Sequence, residues 1–266
     1  MYGQSPGSGY HAQAMSSTPH RSALITGASS GIGAALAKYY AAAGAQVLLA
    51  ARREQALREL ADSIEASGGK AQIEVLDVSD PERTEARIRE LDHTLGFDLV
   101  VANAGIGGSK WGGKLDWADC KGIINVNVSG AIATLTGALP GMIERRAGHL
   151  VGISSVAQYR GLPSSAIYCA SKAFLSTFLE SLRIDLHGTG VSVTDARPGF
   201  IDTPLSASLK SKPFEISAEE AAKIIAKAVR RKRGVITFPK QMAAVGHMLE
   251  VLPGAIYEPV VRRGRK

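Results

Sequence analysis

The sequence has few cysteines, and this shortage excludes several classes of protein. Only two of its 266 residues are cysteine, Cys120 and Cys169, and they form no CxxC pair. A disulfide-bonded scaffold and a cysteine-rich zinc module are therefore not expected, and a reducing, cytoplasmic setting fits better. The six histidines show no spacing that is typical of metal ligands, so we expect no metal.

A long uninterrupted apolar run is also missing. The C-terminal stretch 240–261 is apolar, but His247, Glu250, Pro253 and Glu258 interrupt it, so it is no membrane span. It could pack on the body, cover a substrate cleft, form an oligomer contact or lie on a membrane surface. We favour packing within the molecule or between subunits, because an exposed apolar surface of this size requires burial.

The formal charge of +7 comes without the pattern of a nucleic-acid reader. Basic residues cluster in 230–233 and in the tail 262–266, but no aromatic side chains are interleaved with them. We interpret both clusters as solvated and expect no nucleic-acid partner. Residues 1–20 are rich in Gly, Ser and Pro, and they lack the apolar core of a secretory signal. We therefore predict that they are disordered.

From residue 21 onwards, short apolar runs alternate with helical patterns. Alternation of this kind is typical of parallel βαβ units, in which helices cover both faces of one sheet. We predict a single α/β domain over 21–240, followed by an apolar extension, 241–266, with a basic tail. The strands are expected at 22–26, 46–51, 71–76, 98–101, 149–154, 191–196 and 234–238.

A glycine-rich turn follows the first strand. Gly27, Gly31 and Gly33 form a GxxxGxG pattern that opens a helix. Glycines allow backbone N–H groups to approach a pyrophosphate at a helix N-terminus, where the helix dipole favours anions. The position between strand and helix predicts a dinucleotide-binding turn.

The second strand ends without the acidic residue that an NAD site usually carries. Ala51 stands there, followed by Arg52 and Arg53. An acid would hydrogen-bond a ribose 2′-hydroxyl, whereas arginine would bind a 2′-phosphate through charge-assisted hydrogen bonds. Two cations at a helix N-terminus also oppose the helix dipole, so the pair calls for another reason. The charges therefore favour NADP(H) over NAD(H).

Several candidate site residues stand at the ends of predicted strands. In open α/β sheets, ligands bind outside the carboxyl ends of the strands. The residues at these ends are Gly31, Arg52, Asp77, Asn103, Ser155 and Pro198.

Ser155, Tyr168 and Lys172 carry the chemistry that we expect. If 165–187 is helical, Tyr168 and Lys172 stand at i and i+4 and share one face. A neighbouring ammonium is expected to lower the pKa of the phenol, so the tyrosine could exchange a proton with a carbonyl or an alcohol. Ser155 could hydrogen-bond the same oxygen. Taken alone, a YxxxK pattern is also typical of a solvated helix face.

The ordered set of motifs resembles the short-chain dehydrogenase/reductase family over nearly all of 21–240. The matching pieces are TGASSGIG (26–33), Asp77-Val78, NAG (103–105), Asn127, Ser155, YCASK (168–172) and PGFIDT (198–203). The resemblance implies a Rossmann-like, doubly wound fold with about seven mostly parallel strands in the order 3-2-1-4-5-6-7.

The resemblance also implies catalytic roles. Ser155 would polarise the substrate oxygen, and Tyr168 would be the proton donor or acceptor. Lys172 would bind the nicotinamide ribose and lower the pKa of the tyrosine, and Asn127 would hold a water that links Lys172 to solvent. By contrast, Ser154 is expected to face away from the site as a structural residue.

Further residues are implied as contacts of an NADP(H) cofactor. Glycines would turn under the pyrophosphate, Asp77 and Val78 would meet the adenine, and Ile201 and Thr203 would hold the carboxamide. The full set is Gly27, Ser29, Ser30, Gly31, Ile32, Gly33, Arg52, Arg53, Asp77, Val78, Asn103, Ala104, Gly105, Tyr168, Lys172, Pro198, Gly199, Ile201 and Thr203.

The function expected is NADP(H)-dependent hydride transfer between a nicotinamide and a secondary alcohol or ketone, without a metal. Leu205, Leu209, Phe214 and Tyr159 indicate an apolar substrate. A homodimer or homotetramer is expected. Two alternatives stay open: a non-catalytic NADP(H)-binding scaffold or sensor, and a membrane-peripheral reductase of lipid-like or steroid ketones. The extension 241–266 goes beyond the usual end of the family pattern, which leaves the usual subunit arrangement open.

Overall fold

The structure, a computed structural model, describes residues 20–209 and 211–263. The predicted disordered segment 1–20 lies outside the described residues except for His20, which packs against Tyr40 and His149 and so is ordered, contrary to the prediction. The end of the basic tail, 264–266, also lies outside them. Seven parallel strands form one sheet in the order β3-β2-β1-β4-β5-β6-β7, which confirms the predicted fold and strand order. The strands are β1 (Ser22–Thr26), β2 (Gln46–Ala51), β3 (Lys70–Val75), β4 (Leu99–Ala102), β5 (Gly148–Ile153), β6 (Val191–Pro198) and β7 (Val235–Phe238).

Helices connect the strands and cover both faces of the sheet. They are α1 (Gly31–Ala42), α2 (Glu54–Ala66), α3 (Pro81–Leu95), α4 (Trp117–Ile124), α5 (Ala131–Glu144), α6 (Ala166–Asp185), α7 (Ala218–Arg230), α8 (Lys240–Val251) and α9 (Gly254–Arg263). Two starts have clear local causes. Asp80 accepts a hydrogen bond from the Arg83 amide at the start of α3, and Ser217 accepts one from the Glu220 amide at the start of α7.

Alternating side chains of the strands supply two separate cores. Ala23 and Ile25 of β1 face one core, which α1, α2 and α7 cover, whereas Leu24 faces the other, which α3, α5 and α6 cover. All three side chains are fully buried. Because both faces of β1 are covered, the strand has a nearly continuous run of apolar residues rather than an alternating pattern.

The helical run from Trp117 to Glu144 is not one continuous α-helix. A π-helical segment, Asn125–Gly130, separates α4 from α5. The run is long and apolar enough to cross a membrane by length and composition, but 56% of its most apolar window is buried inside the molecule. It therefore has the character of a core helix.

The apolar extension forms two helices rather than one segment. α8 ends at Val251, and α9 begins at Gly254. Met242 and Tyr257 are buried against the body, but Met248, Val251, Ile256 and Val260 are more than half exposed. The extension thus packs within the molecule on one side and presents apolar side chains on the other.

Candidate active site

The glycine turn after β1 is closed so tightly that side chains would not fit. Gly27 and Gly31 have φ values of 67° and 57°, in the left-handed region that glycine tolerates best. A Cβ atom on Gly33 would lie 2.5 Å from Asn103 Nδ2 and from the Gly27 carbonyl oxygen. The predicted motif therefore meets the steric demand of the turn at each of its three glycines.

Asn103 holds this turn from the neighbouring strand. Its Nδ2 donates to the carbonyl oxygens of Thr26 at 2.9 Å and Gly27 at 3.2 Å. In return, Thr26 Oγ1 accepts from the backbone amides of Asn103 and Ala104. These bonds connect the ends of β1 and β4 and fix the floor on which the glycine turn stands.

The start of α1 is free to bind an anion. Among the described residues, no side chain caps this end and no acidic residue lies in its first turn. The Ser30 hydroxyl instead accepts from Arg53. Unsatisfied N–H groups at a helix N-terminus bind phosphate, so the geometry fits the pyrophosphate of a dinucleotide.

The two arginines after β2 lie beside this turn, and Arg53 makes the closer contacts. Its Nη2 donates to Ser29 Oγ and Ser30 Oγ, each at 2.9 Å. Arg52 Nη1 lies 3.9 Å from Asp77 Oδ2, and its side chain is 64% exposed. The Arg53 guanidinium and two serine hydroxyls thus come together at the carboxyl edge of the sheet, a set of groups that suits a phosphate, while Arg52 lies beside Asp77.

Asp77 and Val78 follow β3 on the same edge. Burial raises the pKa of Asp77, but hydrogen bonds from Ser79 and the charge of Arg52 outweigh burial, and the net pKa is lowered. The carboxylate is therefore ionised at neutral pH. Val78 is buried against Gly130 of the π segment.

The segment after β6 closes against the glycine turn. The Thr203 methyl group lies 2.9 Å from the position that a Cβ of Gly31 would occupy. Thr203 Oγ1 donates to the Ile201 carbonyl at 3.3 Å, and the Gly199 amide donates to the Phe238 carbonyl at 2.7 Å. Thr203 therefore lies against the glycine turn, and its contact with the nicotinamide, like that of Ile201, stays a prediction.

Ser155 and Tyr168 meet at the end of β5. Ser155 Oγ accepts from the Ala157 amide at 3.1 Å and donates to the Pro198 carbonyl at 3.5 Å. Burial raises the pKa of Tyr168, and its hydrogen bond with Ser155 acts in the opposite direction without cancelling it. The net rise is opposite to the fall that the sequence predicts.

Lys172 explains this difference. Its Nζ donates to the Ile153 carbonyl at 2.8 Å and lies 5.8 Å from the centre of the Tyr168 ring. Burial lowers the pKa of Lys172 itself to about 8, although the charge of Asp195 acts to raise it. Loss of solvent is therefore the largest cause of both pKa shifts. Spacing along a helix does not reveal how much solvent a side chain loses.

Asn127 is buried in the π segment beside Lys172. Its Oδ1 accepts from the Ile106 amide at 2.8 Å, and its Nδ2 donates to the Ile106 carbonyl at 3.0 Å and to Ser171 Oγ at 3.1 Å. A Cβ on Gly105 would lie 3.5 Å from Asn127 Oδ1 and 3.6 Å from Lys172 Nζ. The structure therefore brings Asn127, Lys172 and the NAG turn together.

Ser154 points away from this site, as predicted. Its hydroxyl donates to Asp195 Oδ1 and lies 3.2 Å from the Ala196 carbonyl oxygen. Asp195 is fully buried and also accepts from Arg197 Nε at 2.6 Å. The sequence reasoning missed this buried ion pair, although two opposite charges two positions apart in an apolar strand could have indicated it.

No metal site is apparent in the part of the chain that the structure describes, because no three His, Cys, Asp or Glu side chains form a suitable group there. The predicted neighbour of the tyrosine, Cys169, is buried, and burial raises the pKa of its thiol. A thiol of this kind is a packed core group rather than a nucleophile.

A phosphate-binding turn, a basic pair and a Ser–Tyr–Lys group on one sheet edge define a dinucleotide-dependent oxidoreductase. The family model described as short chain dehydrogenase matches residues 21–213, and the chain belongs to that family. An uncharacterized oxidoreductase of Myxococcus xanthus is 46% identical over 94% of this chain and all of its own length.

Solved structures agree with this assignment. One is a protein of Beutenbergia cavernae, described as an NAD(P) dependent gluconate 5-dehydrogenase with bound NADP. It has a TM-score of 0.81 and 28% identity, over 86% of this chain and 99% of its own. A short chain dehydrogenase/reductase of Burkholderia phymatum in complex with NAD has a TM-score of 0.79 and 25% identity, over 88% and 92% of the two chains.

Proposed function

We propose that this protein is an NADP(H)-dependent oxidoreductase that transfers a hydride between a nicotinamide and an apolar secondary alcohol or ketone. The observation that carries the proposal is the position of Tyr168 beside Ser155, with buried Lys172 one helical turn further along. All three lie at the sheet edge that also holds the glycine turn. A metal is not part of the proposal.

The protein residues divide the work of the reaction. The nicotinamide, when bound, supplies or accepts the hydride. Ser155 orients the substrate oxygen by hydrogen bonding, and Tyr168 transfers the proton at that oxygen. Because the pKa of Tyr168 is raised by burial, the phenol is protonated at neutral pH. A protonated tyrosine can donate the proton that the oxygen of a ketone takes up on reduction.

Charge supports NADP(H) over NAD(H). Of the two solved structures described above, one holds NADP and the other NAD, and a metagenomic short-chain oxidoreductase that is 28% identical to this chain also holds NADP. Arg53 contacts the serine hydroxyls of the glycine turn, Arg52 lies beside Asp77, and no acid stands at the end of β2. Arginine forks bind phosphate with charge and directed hydrogen bonds.

The lining of the cleft supports an apolar substrate. Three loops meet there: the Lys110 amide donates to the Ser164 carbonyl, and Leu205 lies 3.2 Å from a Cβ placed on Gly107. These loops carry exposed apolar side chains at Trp111, Leu162, Leu205, Leu209 and Phe214. Gluconate, the compound in the description of the Beutenbergia protein, is a polyhydroxy acid that such a lining would not favour.

Nucleotide titration tests this proposal. NADPH and NADH fluorescence would be measured with wild type, Arg52→Ala, Arg53→Ala and Tyr168→Phe. We expect NADPH to bind ~10-fold tighter or more, since hydrogen bonds to charged groups contribute about 1.5–3 kcal/mol. The arginine variants should lose this preference. Arg58→Ala on α2 is a matched control, because Arg58 pairs with Glu54 rather than with the glycine turn.

A panel of apolar ketones then tests the chemistry. Tyr168→Phe should bind NADPH as wild type does but reduce no ketone. A preference for NADH would contradict the role of the arginine pair. Binding of NADPH without turnover of any ketone by wild type would favour the non-catalytic scaffold instead.

A further inference from the structure

The C-terminal helices make close contacts with segment 156–165, which links Ser155 to α6. On α8, a Cβ on Gly246 would lie 2.5 Å from Cδ2 of the Tyr159 ring. The His247 ring meets the same tyrosine edge-on, with centroids 5.2 Å apart. A larger residue at position 246 would force α8 away, so the glycine permits this approach.

A second contact joins the middle of the segment to the junction of α8 and α9. Arg160 Nη2 donates to the Leu252 carbonyl at 3.0 Å, and its guanidinium carbon lies 4.7 Å from the centre of the Tyr257 ring. Tyr257 in turn donates its hydroxyl proton to the Gly161 carbonyl at 2.6 Å. We refer to Arg160, Gly161, Leu252 and Tyr257 as the clamp.

The clamp is the main attachment of α9. Tyr257 is only 7% exposed, whereas its neighbours on the same helix, Ile256 and Val260, are 53% and 59% exposed. Apolar burial therefore does little to hold α9 in place, and the polar contacts of Tyr257 are needed for it. A cation over an aromatic ring and a buried hydroxyl bond are directed contacts that fix orientation.

Segment 156–165 is attached to the body by Tyr159, whose ring is buried and whose hydroxyl lies 3.1 Å from Thr237 Oγ1, and by hydrogen bonds at its two ends. Its beginning is a 3₁₀ turn, in which the Gln158 amide donates to the Ser155 carbonyl. Its end is held by the Ser165 amide on the Leu162 carbonyl and by the Lys110 amide on the Ser164 carbonyl. Between these ends, two members of the clamp lie in the segment itself: the Arg160 side chain bonds Leu252, and the Gly161 carbonyl accepts from Tyr257.

We propose that Arg160 and Tyr257 are positioning residues that use the C-terminal helices to fix the substrate-facing segment 156–165. They act on Leu162, which lies between the clamp and Ser164, and not on the reacting atoms. The role in substrate binding rests on the proposed function. The role in holding the segment does not.

The test uses Tyr257→Phe, Arg160→Met and Arg160→Lys in the full chain. Loss of one net hydrogen bond should raise amide hydrogen exchange within 156–165 about fivefold. We expect the KM for an apolar ketone to rise by a similar factor, with kcat and the NADPH Kd unchanged. Arg160→Lys keeps a cation and a donor and should recover part of the effect. Val260→Ala on the exposed side of α9 is the matched control.

Unchanged exchange within 156–165 in Tyr257→Phe and Arg160→Met would overturn the proposal. The proposal would also be overturned if the variants lost NADPH affinity and thermal stability together without a selective rise in KM. That pattern indicates a general structural role. If wild type turns over no ketone, the proposed function fails, and the exchange measurement alone decides whether the clamp holds the segment.

Discussion

His149 is a buried imidazole whose tautomer can be assigned from its neighbours. Its Nε2 lies 2.8 Å from Thr194 Oγ1, and that hydroxyl donates its only proton to the Arg233 carbonyl at 2.6 Å. Nε2 must therefore carry the hydrogen. Burial lowers the pKa of His149 to about 3, and the nearby His20 and Lys232 act in the same direction.

This histidine should make the fold sensitive to acid. Between pH 6.5 and about 3 the unfolded chain binds a proton at His149 that the folded chain does not, so stability falls as the pH falls through this window. At pH 5 the loss from this group should be about 2 kcal/mol relative to pH 7. Urea unfolding at pH 7, 6 and 5 would measure it.

The comparison with His149→Gln isolates the effect. A glutamine amide can still donate to Thr194, but it does not titrate, so its free energy of unfolding should fall about 2 kcal/mol less between pH 7 and 5. His187→Gln, at an exposed position, should behave as wild type. Parallel pH curves for wild type and His149→Gln would rule the explanation out.

At single residues, the sequence predicted which side chains lie together but not how deeply they are buried. Ser155, Tyr168 and Lys172 were identified by residue type and spacing, and the structure brings them together. The direction of the Tyr168 pKa shift was predicted wrongly, because helical spacing reports which face a side chain shares but not how much solvent it loses. Arg53, rather than Arg52, contacts the glycine turn for a similar reason: adjacent side chains diverge, and only packing decides which turns inward.

Among the elements, the junction of β1 and α1 is the most sterically restricted. An alanine Cβ at position 33 would stand 2.5 Å from Asn103 Nδ2, the group that holds the turn, and from the Gly27 carbonyl oxygen. Gly33→Ala should therefore cost about 1–3 kcal/mol of stability, as overpacking does. It should also weaken NADPH binding, because the turn must shift.

Gly122 on α4 offers the matched control. A Cβ at that position would meet nothing within 4 Å, and its φ is not in the left-handed region. Gly122→Ala should stabilise the protein by up to about 1 kcal/mol, since alanine is the better helix former. Urea unfolding and NADPH titration of both variants test the prediction, and equal effects of the two substitutions would refute it.

The boundaries of the elements show how far local signals reach. α3 begins at Pro81, because Asp80 caps it and proline suits its first turn. The π segment was not predicted. Its register shift accompanies the tertiary bonds of Asn127 to Ile106 and Ser171, which no local pattern encodes.

At the scale of the whole molecule, the carboxyl edge of the sheet gathers residues that are far apart in sequence. Parallel order alone predicts this gathering, which is why the candidate site could be outlined from strand ends. The attachment of the C-terminal helices was beyond such reasoning. It depends on contacts between residues more than ninety positions apart, such as Arg160 with Leu252.

The exposed face of α6 indicates how subunits would associate. The exposed positions of α6 include the uncharged Ala170, Phe174, Thr177, Ser181 and Ile184, beside the charged Glu180 and Asp185. Phe174 and Ile184 are 47% and 68% exposed. Exposed large apolar side chains, on the helix that carries Tyr168 and Lys172, favour this face as a surface buried between copies of the chain.

We therefore expect Phe174→Glu to convert the wild-type oligomer into monomers, because a carboxylate buried without a partner is costly. Sedimentation velocity would measure the change. Ile256→Glu on α9 is the control, since it places the same charge on the other exposed apolar surface. A monomeric wild type would contradict the expected oligomer. Dissociation by Ile256→Glu but not by Phe174→Glu would instead assign the subunit contact to the C-terminal helices.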